Sequence, residues 1–168
     1  MEEIRELEQE IMNLMDNLGG DKKKYAKEMR DASRTVSEMY SPPRVTRAAK
    51  MQPSLGILPG FALDLNTCDH RGMPWDFDNE DQRKAAWAKV LEEKPMLIIG
   101  TPMCTVFSAI RNLSNMKRDP RVVAAEMRRA IKHLTFCCDL YRHQVQEGRF
   151  FLHEHPQAAT SWETPVVN

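Results

Sequence analysis

Cys104 stands in the segment Gly100-Thr101-Pro102-Met103-Cys104-Thr105-Val106-Phe107-Ser108, directly after the apolar run 96–99 and ahead of a predicted helix over 106–115. A thiol just past a buried strand, beside a helix N-terminus, sits where the local field favours the thiolate, the nucleophilic form. The commoner use of a lone cysteine is as a small buried hydrophobe. Glu154 closes the run Phe150-Phe151-Leu152-His153 and is followed by His155 and Pro156. A carboxyl group at a strand end, between two imidazoles, is an acid or hydrogen-bond donor once its pKa is raised. His153 and His155 with Cys68 or His70 would be metal ligands, but neither the i, i+4 spacing of helical zinc sites nor a Cys-x-x-Cys pair is present, so no metal is expected. Asp64 lies 23 residues after Ser41. An acid at the end of a second strand, about 20 residues beyond the first turn, suits ribose hydroxyls; its alternative use is to cap its own loop. Pro74-Trp75-Asp76-Phe77-Asp78 offers a wall for a flat ring with Asp76 at its edge, or the N-terminal box of the next helix with a packed Trp.

These residues need elements to hold them. The chain alternates short strands and helices from residue 36 onward. Strands are predicted over 36–40, 61–65, 96–99 and 150–154. Helices are predicted from Ser41, as cap, to about 51, from Asp78 or Asn79 to about 93, over 106–115, and from Asp119-Pro120 to Gly148. The last is the clearest, with Val123, Met127, Ala130, Leu134, Cys137, Tyr141 and Val145 on one face. Residues 56–60 read as a turn, and the tail after residue 157 shows no clear element. Crossovers of this length imply an α/β fold: a Rossmann-like, mainly parallel sheet with helices on both faces. Chemistry in such sheets gathers at the carboxyl ends of the strands. The loops 41–44, 64–67, 101–108 and 154–156 all fall there.

Ahead of this domain, assigned to residues 36–168, lies an N-terminal helical segment over 1–35. Ile4, Leu7, Ile11, Leu14 and Leu18 form an a/d seam stopped by Gly19-Gly20. The seam serves either as packing against its own domain or as an oligomerisation helix of a homodimer, although two and a half heptads are marginal for an isolated pair. A charged, solvated helical stretch follows over 21–34.

The 168 residues carry 24 basic and 24 acidic side chains. No global field draws the protein to nucleic acid, so any such binding must come from a local patch. The start of the sequence lacks a signal peptide, and its longest apolar run is far too short to span a bilayer, so an intracellular, cytoplasmic protein with no membrane partner is expected (host-cell cytoplasm if it is viral). The four cysteines, two of them neighbours, are expected as free thiols.

Five of these segments together resemble the cytosine-C5 DNA methyltransferase family. Pro102-Met103-Cys104-Thr105-Val106-Phe107-Ser108 is similar to that family's Pro-Pro-Cys-Gln-x-Phe-Ser nucleophile loop. Glu154-His155-Pro156 resembles its Glu-Asn-Val or Glu-Asn-Pro motif. Tyr40-Ser41 takes the place of the first cofactor loop, Asp64 that of the ribose-binding acid, and Asp76-Phe77 that of the pair beside the adenine. Order and spacing agree over about residues 36–156, and the same stretch resembles short methyltransferase-like proteins of phages and mobile elements. The resemblance implies Cys104 and Glu154 as catalytic residues. It implies S-adenosylmethionine as cofactor, held by Tyr40, Ser41, Arg44, Asp64, Asp76, Phe77 and Pro102. It implies a pyrimidine in DNA or a nucleotide as substrate, met by Ser108, His153 and His155. The sequence departs from the family where its glycine-rich first loop becomes Ser41-Pro42-Pro43-Arg44, where Met103 and Thr105 replace a proline and a glutamine, and in showing no target-recognition domain. A module of this kind that has lost the cofactor, and acts by contacting nucleic acid or protein, is the alternative.

Overall fold

The computed structural model describes residues 21–32 and 34–167, with the single positions 9, 13 and 19. The seam at 4, 7, 11, 14 and 18, and with it the expected dimer helix, lies outside the described residues. The chain divides into two compact units, Met1–Ser33 and Arg34–Asn168. In the first, the charged stretch forms helix α1 (Lys22–Ala32). The carboxylate of Asp21 accepts the amides of Lys23 and Lys24 at 2.9 and 3.0 Å, capping its first turn.

The second unit is an α/β domain. Its strands β1 (Thr35–Met39), β2 (Leu58–Leu63), β3 (Leu97–Gly100) and β4 (Phe150–His153) are joined through α2 (Val45–Met51), α3 (Glu80–Glu93), α4 (Ala109–Asn115) and α5 (Pro120–Gln146). All pairings are parallel, in the order β2-β1-β3-β4. The order runs one way from β1 to β2 and the other way to β3 and β4. The gap between the carboxyl ends of β1 and β3 is therefore a topological switch point, the usual place for a ligand in such sheets.

Register and alternation settle the layers. Glu38 pairs with Ile99, and Met39 with Gly100. Successive side chains point to opposite faces. Glu38 reaches the start of α2, while a Cβ on Gly100 would come within 1.9 Å of the Tyr141 hydroxyl on α5. So α2 and α5 lie on opposite sides of the sheet. Gly100 is needed there because α5 leaves no room for a side chain. The core gathers Met39, Leu63, Phe77, Ile98, Phe107 and Leu134.

Four elements differ from the sequence expectation. The helix expected from Ser41 as cap begins at Val45, with Arg44 at its N-cap and no side-chain cap. The tail after residue 157 holds a 3-10 turn, Thr160–Glu163. Within the segment 56–60, read as a turn, residues 58–60 supply the first half of β2. A proline fits this strand because β2 is at the sheet edge, and Gly60 fits because a Cβ there would strike the Ser37 hydroxyl at 2.2 Å. The helix expected over 106–115 splits into a 3-10 turn (Thr105–Phe107) and α4, which Ser108 caps by accepting the Arg111 amide at 3.1 Å. Among the described residues no helix is long and apolar enough to cross a membrane.

Candidate functional site

The exit of β1 makes a sharp corner. Tyr40 has φ of 59°, in the left-handed region that costs a non-glycine residue about 1–2 kcal/mol. Three bonds hold it there. Its amide donates to Leu63 O at 2.8 Å, and the Thr101 hydroxyl donates to its carbonyl at 2.9 Å. Its phenol lies 3.0 Å from Nδ1 of His133. The corner thus ties the ends of β1, β2 and β3 together and turns the Tyr40 ring against Phe77, with centroids 4.6 Å apart.

Beside this corner is a cleft of about 170 Å³ lined by Tyr40, Asp64, Leu65, Trp75, Asp76, Phe77, Thr101, Met103, Arg129 and His133. Four residues singled out from the sequence, Tyr40, Asp64, Asp76 and Phe77, come together here from two loops, the one after β1 and the one that joins β2 to α3. Asp64 accepts the amide of Asn66 at 3.1 Å and its side-chain amide at 2.8 Å. Asp76 accepts the amide of Asp78 at 2.9 Å. Both carboxylates are part-exposed at the cleft. The opposite wall belongs to α5. His133, 3 % exposed, bonds Tyr40 through Nδ1 and approaches Asp78 with Nε2 at 3.2 Å. Burial pulls the His133 pKa below the usual imidazole value, against the opposing pull of Asp78. Arg129 and Lys132 also pair with Asp78. Arg129 and His133 were missed from the sequence because both fall within an amphipathic helix whose period reads as packing alone.

Ser41, Arg44 and Pro102 do not line the cleft. Ser41 is buried and donates to Glu38 Oε1 at 3.2 Å. Arg44 gives its backbone amide to the same carboxylate and leaves its side chain exposed. Glu38, 1 % exposed, accepts in addition the amides of Val45 and Thr46 at 3.1 and 2.8 Å and the Thr46 hydroxyl at 2.6 Å. An internal carboxylate therefore fills the anion site at the start of α2, the place a ligand phosphate takes in a glycine-rich nucleotide loop.

Cys104 and Glu154 lie in neighbouring loops at the carboxyl ends of β3 and β4. Cys104 is part-exposed at the start of the 3-10 turn and Glu154 is exposed. The Glu154 amide donates to Gly100 O at 3.0 Å. The two loops are clamped by His155, 8 % exposed, whose Nε2–H donates to the Pro102 carbonyl at 2.8 Å. That bond fixes Nδ1 as the acceptor of the Ser161 hydroxyl at 2.7 Å. His155 and Pro102 are thus positioning groups under the Cys104 loop. Ser108 caps α4 as described.

His153 points to the α5 face. Its Nδ1 accepts from the Tyr141 hydroxyl at 3.0 Å, which in turn accepts from the buried Cys137 thiol at 3.1 Å. This leaves an N–H on Nε2, buried and without a partner among the described residues. His153 also borders a larger apolar cavity of about 530 Å³ between α5, β4 and the tail, with Tyr141, Phe151, Trp162 and Val166 on its walls. None of the other residues read from the sequence as catalytic, cofactor-binding or substrate-binding lines that cavity. Burial, and then the neighbouring His155, lower the His153 pKa to about 4. In the unfolded chain it titrates near 6.5. Unfolding therefore takes up a proton between these values, and stability that is complete above about pH 6.5 falls as the pH drops toward 4. Urea unfolding of His153→Gln at a series of pH values is expected to show a shallower decline over that window. An unchanged slope would mean that His153 titrates normally in the folded protein.

Among the described residues no three His, Cys, Asp or Glu side chains gather closely enough to hold a metal ion. No protein-family model matches the chain, and neither a curated protein nor a solved structure matches it.

Proposed function

We propose that the domain is a Rossmann-like methyltransferase module that transfers a methyl group to C5 of a pyrimidine, with Cys104 as nucleophile and Glu154 as acid. The observation that carries this reading is the convergence of Tyr40, Asp64, Asp76 and Phe77 on one cleft at the switch point, next to the Cys104 loop. Those residues fit a nucleoside: carboxylates for ribose hydroxyls or an amine, and aromatic edges for a flat ring. The Glu38 carboxylate at the start of α2 speaks against a phosphate-bearing cofactor and suits one that is a cationic nucleoside. S-adenosylmethionine has that character and supplies the methyl group when bound. At about 170 Å³ the cleft is smaller than the roughly 300 Å³ floor of common small-molecule sites, so it encloses only part of such a ligand.

The chain's own residues then act on the pyrimidine. The Cys104 thiolate adds to C6 while Glu154 gives a hydrogen bond or proton at N3, which places electron density on C5. After transfer, loss of the C5 proton expels the thiolate and restores the ring, so sulfur leaves as it came.

Calorimetry with S-adenosylmethionine tests the cofactor part. Binding is expected in the full chain, weakened about 10-fold or more by Asp64→Ala through loss of charge-assisted hydrogen bonds of about 1.5–3 kcal/mol. No heat with either the cofactor or its demethylated product would leave the second reading, a methyltransferase-like module acting by contact alone. The small cleft is the observation that favours that reading.

A further inference from the structure

Helix α4 is turned inside out. Its polar side faces the domain. The Arg111 and Arg118 guanidinium groups donate to the Glu126 carboxylate of α5 at 2.9 and 2.6 Å, and Arg118 also donates to Asn115 Oδ1 at 3.1 Å. Arg111 Nε is buried there. Ile110 and Leu113 on the helix, and Met116 at its C-cap, face water with 82, 73 and 86 % of their surface exposed. At 3.6 residues per turn, positions 110 and 113 fall on one side of the helix and 111 and 115 on the other. A surface helix ordinarily turns its apolar stripe to the core and its charges to solvent. Here the order is reversed, and the stripe has no core to meet.

The other helices of the domain do not repeat this. α2 buries Ala49, α3 buries Ala86 and Val90, and α5 buries Leu134 and Leu140, so their exposed apolar residues are the outer remainder of packed helices. An exposed apolar patch with a polar rim marks an interaction site. The rim here is cationic. Residues 109–126 carry Arg111, Lys117, Arg118 and Arg121 against Asp119 and Glu126. Glu126 is taken by Arg111 and Arg118, and Asp119 caps α5 by accepting the Arg121 amide at 2.8 Å. That leaves Lys117, next to Met116, and Arg121, in the first turn of α5. Both are exposed, with no ion-pair partner among the described residues. The charge of this rim selects the partner. A second copy would bring like charges together across the patch. A partner helix seats in a groove, and neither cavity described above is lined by α4. A bilayer needs no groove, takes in apolar side chains at its headgroup boundary, and answers the two cations when its lipids are anionic.

We propose that α4 is a peripheral membrane contact. Ile110, Leu113 and Met116 enter the headgroup boundary of an anionic bilayer, and Lys117 and Arg121 meet its headgroups. The contact goes beyond the methyl-transfer reading and does not rest on it. It needs no spanning helix, and the sequence expectation of no membrane partner came from the lack of a signal peptide and a spanning run. Because α4 follows the Cys104 loop directly, the contact sets that loop's end of the sheet at the lipid surface.

Co-sedimentation of the full chain with vesicles of phosphatidylcholine, alone or with one third phosphatidylserine, tests it. Each basic residue near an anionic leaflet contributes about 5-fold to partitioning. The wild type is therefore expected to favour the anionic vesicles by about 25-fold, and Lys117→Gln/Arg121→Gln to lose that preference. Ile110→Gln/Leu113→Gln/Met116→Gln keeps helix propensity but removes the apolar contact, and should weaken binding to the anionic vesicles by about 100-fold or more. Lys50→Gln/Met51→Gln is the control. It removes an exposed cation and a 70 % exposed methionine from α2, and should bind as the wild type does. Thermal melting checks that these exposed substitutions leave the fold in place. A wild-type chain that stays in the supernatant with both vesicles would overturn the proposal. So would equal binding by the wild type and the triple α4 variant, or an equal loss in the α2 control. A chain that ignores vesicles but forms a dimer at sedimentation equilibrium, and loses it in the triple α4 variant, would replace the lipid surface by a second copy.

Discussion

Glu38→Ala is expected to destabilise the domain by about 3–5 kcal/mol, enough to lower its melting temperature by something on the order of 10–15 °C. The size follows from what the carboxylate does. It is 1 % exposed and accepts the amides of Arg44, Val45 and Thr46, the Thr46 hydroxyl and the Ser41 hydroxyl. Truncation strands several buried donors at once, each costing about 1–3 kcal/mol unless water reaches it. It also removes the negative charge that complements the N-terminus of α2. Glu38→Gln keeps the shape but turns an amide NH2 toward N–H donors, so a loss of roughly half that size is expected. The pH dependence distinguishes charge from packing. Burial pushes the Glu38 carboxyl up, but its hydrogen bonds from Thr46, Val45 and Arg44 outweigh that, and its pKa lies below the ordinary carboxylate value of 4.5. A depressed folded pKa gives stability that is complete above the unfolded value and lost as the pH falls through the folded one. Acid denaturation of the wild type should thus include one proton taken up by Glu38 below about pH 4.5. The Gln variant should lack it. Equal acid transitions in the two proteins would show that Glu38 is not ionised in the fold.

That residue also marks where the sequence stopped being legible. The four strands and four helices of the domain could be read from the alternation of apolar runs and amphipathic periods, because each is dictated by which side chains must leave water. Glu38 could not, since a charged residue inside the predicted first strand reads as an edge or a surface position until the chain bends back to bring three amides onto it. Gln144 was hidden for the same reason. It lies fully buried in α5 and bonds Pro95 O and Phe150 O at 2.9 and 3.1 Å, joining the starts of β3 and β4. No period shows a buried polar residue whose partners are 49 and 6 positions away. The first half of β2 was lost to Pro59 and Gly60, which usually break strands and are tolerated here by an open edge and a close neighbour. The candidate site fared differently by part. Tyr40 and Asp64 lie at strand exits, positions that topology alone carries to one rim, and Asp76 and Phe77 return to it near the end of the loop that precedes α3. Arg129 and His133 reach the same rim from the middle of a helix, where only tertiary packing decides which turn faces the cleft. Ser41 and Arg44 were read by their place in a cofactor loop, and the prolines between them turn that loop inward onto Glu38 instead.

Cys104→Ser is expected to abolish methyl transfer, by at least about 10³-fold, while leaving cofactor binding and melting temperature within error. The four thiols differ in ways that make this assignment testable. Cys137 is fully buried, donates to Tyr141, and has its pKa pushed up to about 12 by burial. Cys138 is nearly buried, and burial raises its pKa too. Neither supplies thiolate near neutral pH. Cys68 is exposed, but it lies in the loop after β2, on an isolated bridge to Pro74, and not in the loop after β3. Cys104 alone among them is both accessible and set in a loop clamped from below by His155 and flanked by Glu154. A hydroxyl in its place has the right size but a pKa far above that of a thiol, so addition to C6 stops while the fold persists. Glu154→Gln should cost less, about 10²- to 10⁴-fold, because it removes a proton donor and not the nucleophile. His155→Ala should lower the rate through a displaced loop, and should differ from Cys104→Ser in also lowering the melting temperature. The measurement is single-turnover transfer of labelled methyl from S-adenosylmethionine to a cytosine-containing oligonucleotide, with Cys68→Ser as the control that retains activity. Transfer at the wild-type rate by Cys104→Ser would remove the nucleophile from this loop. Loss of transfer in Cys68→Ser instead would move the chemistry to the other accessible thiol and the 64–74 loop that carries it.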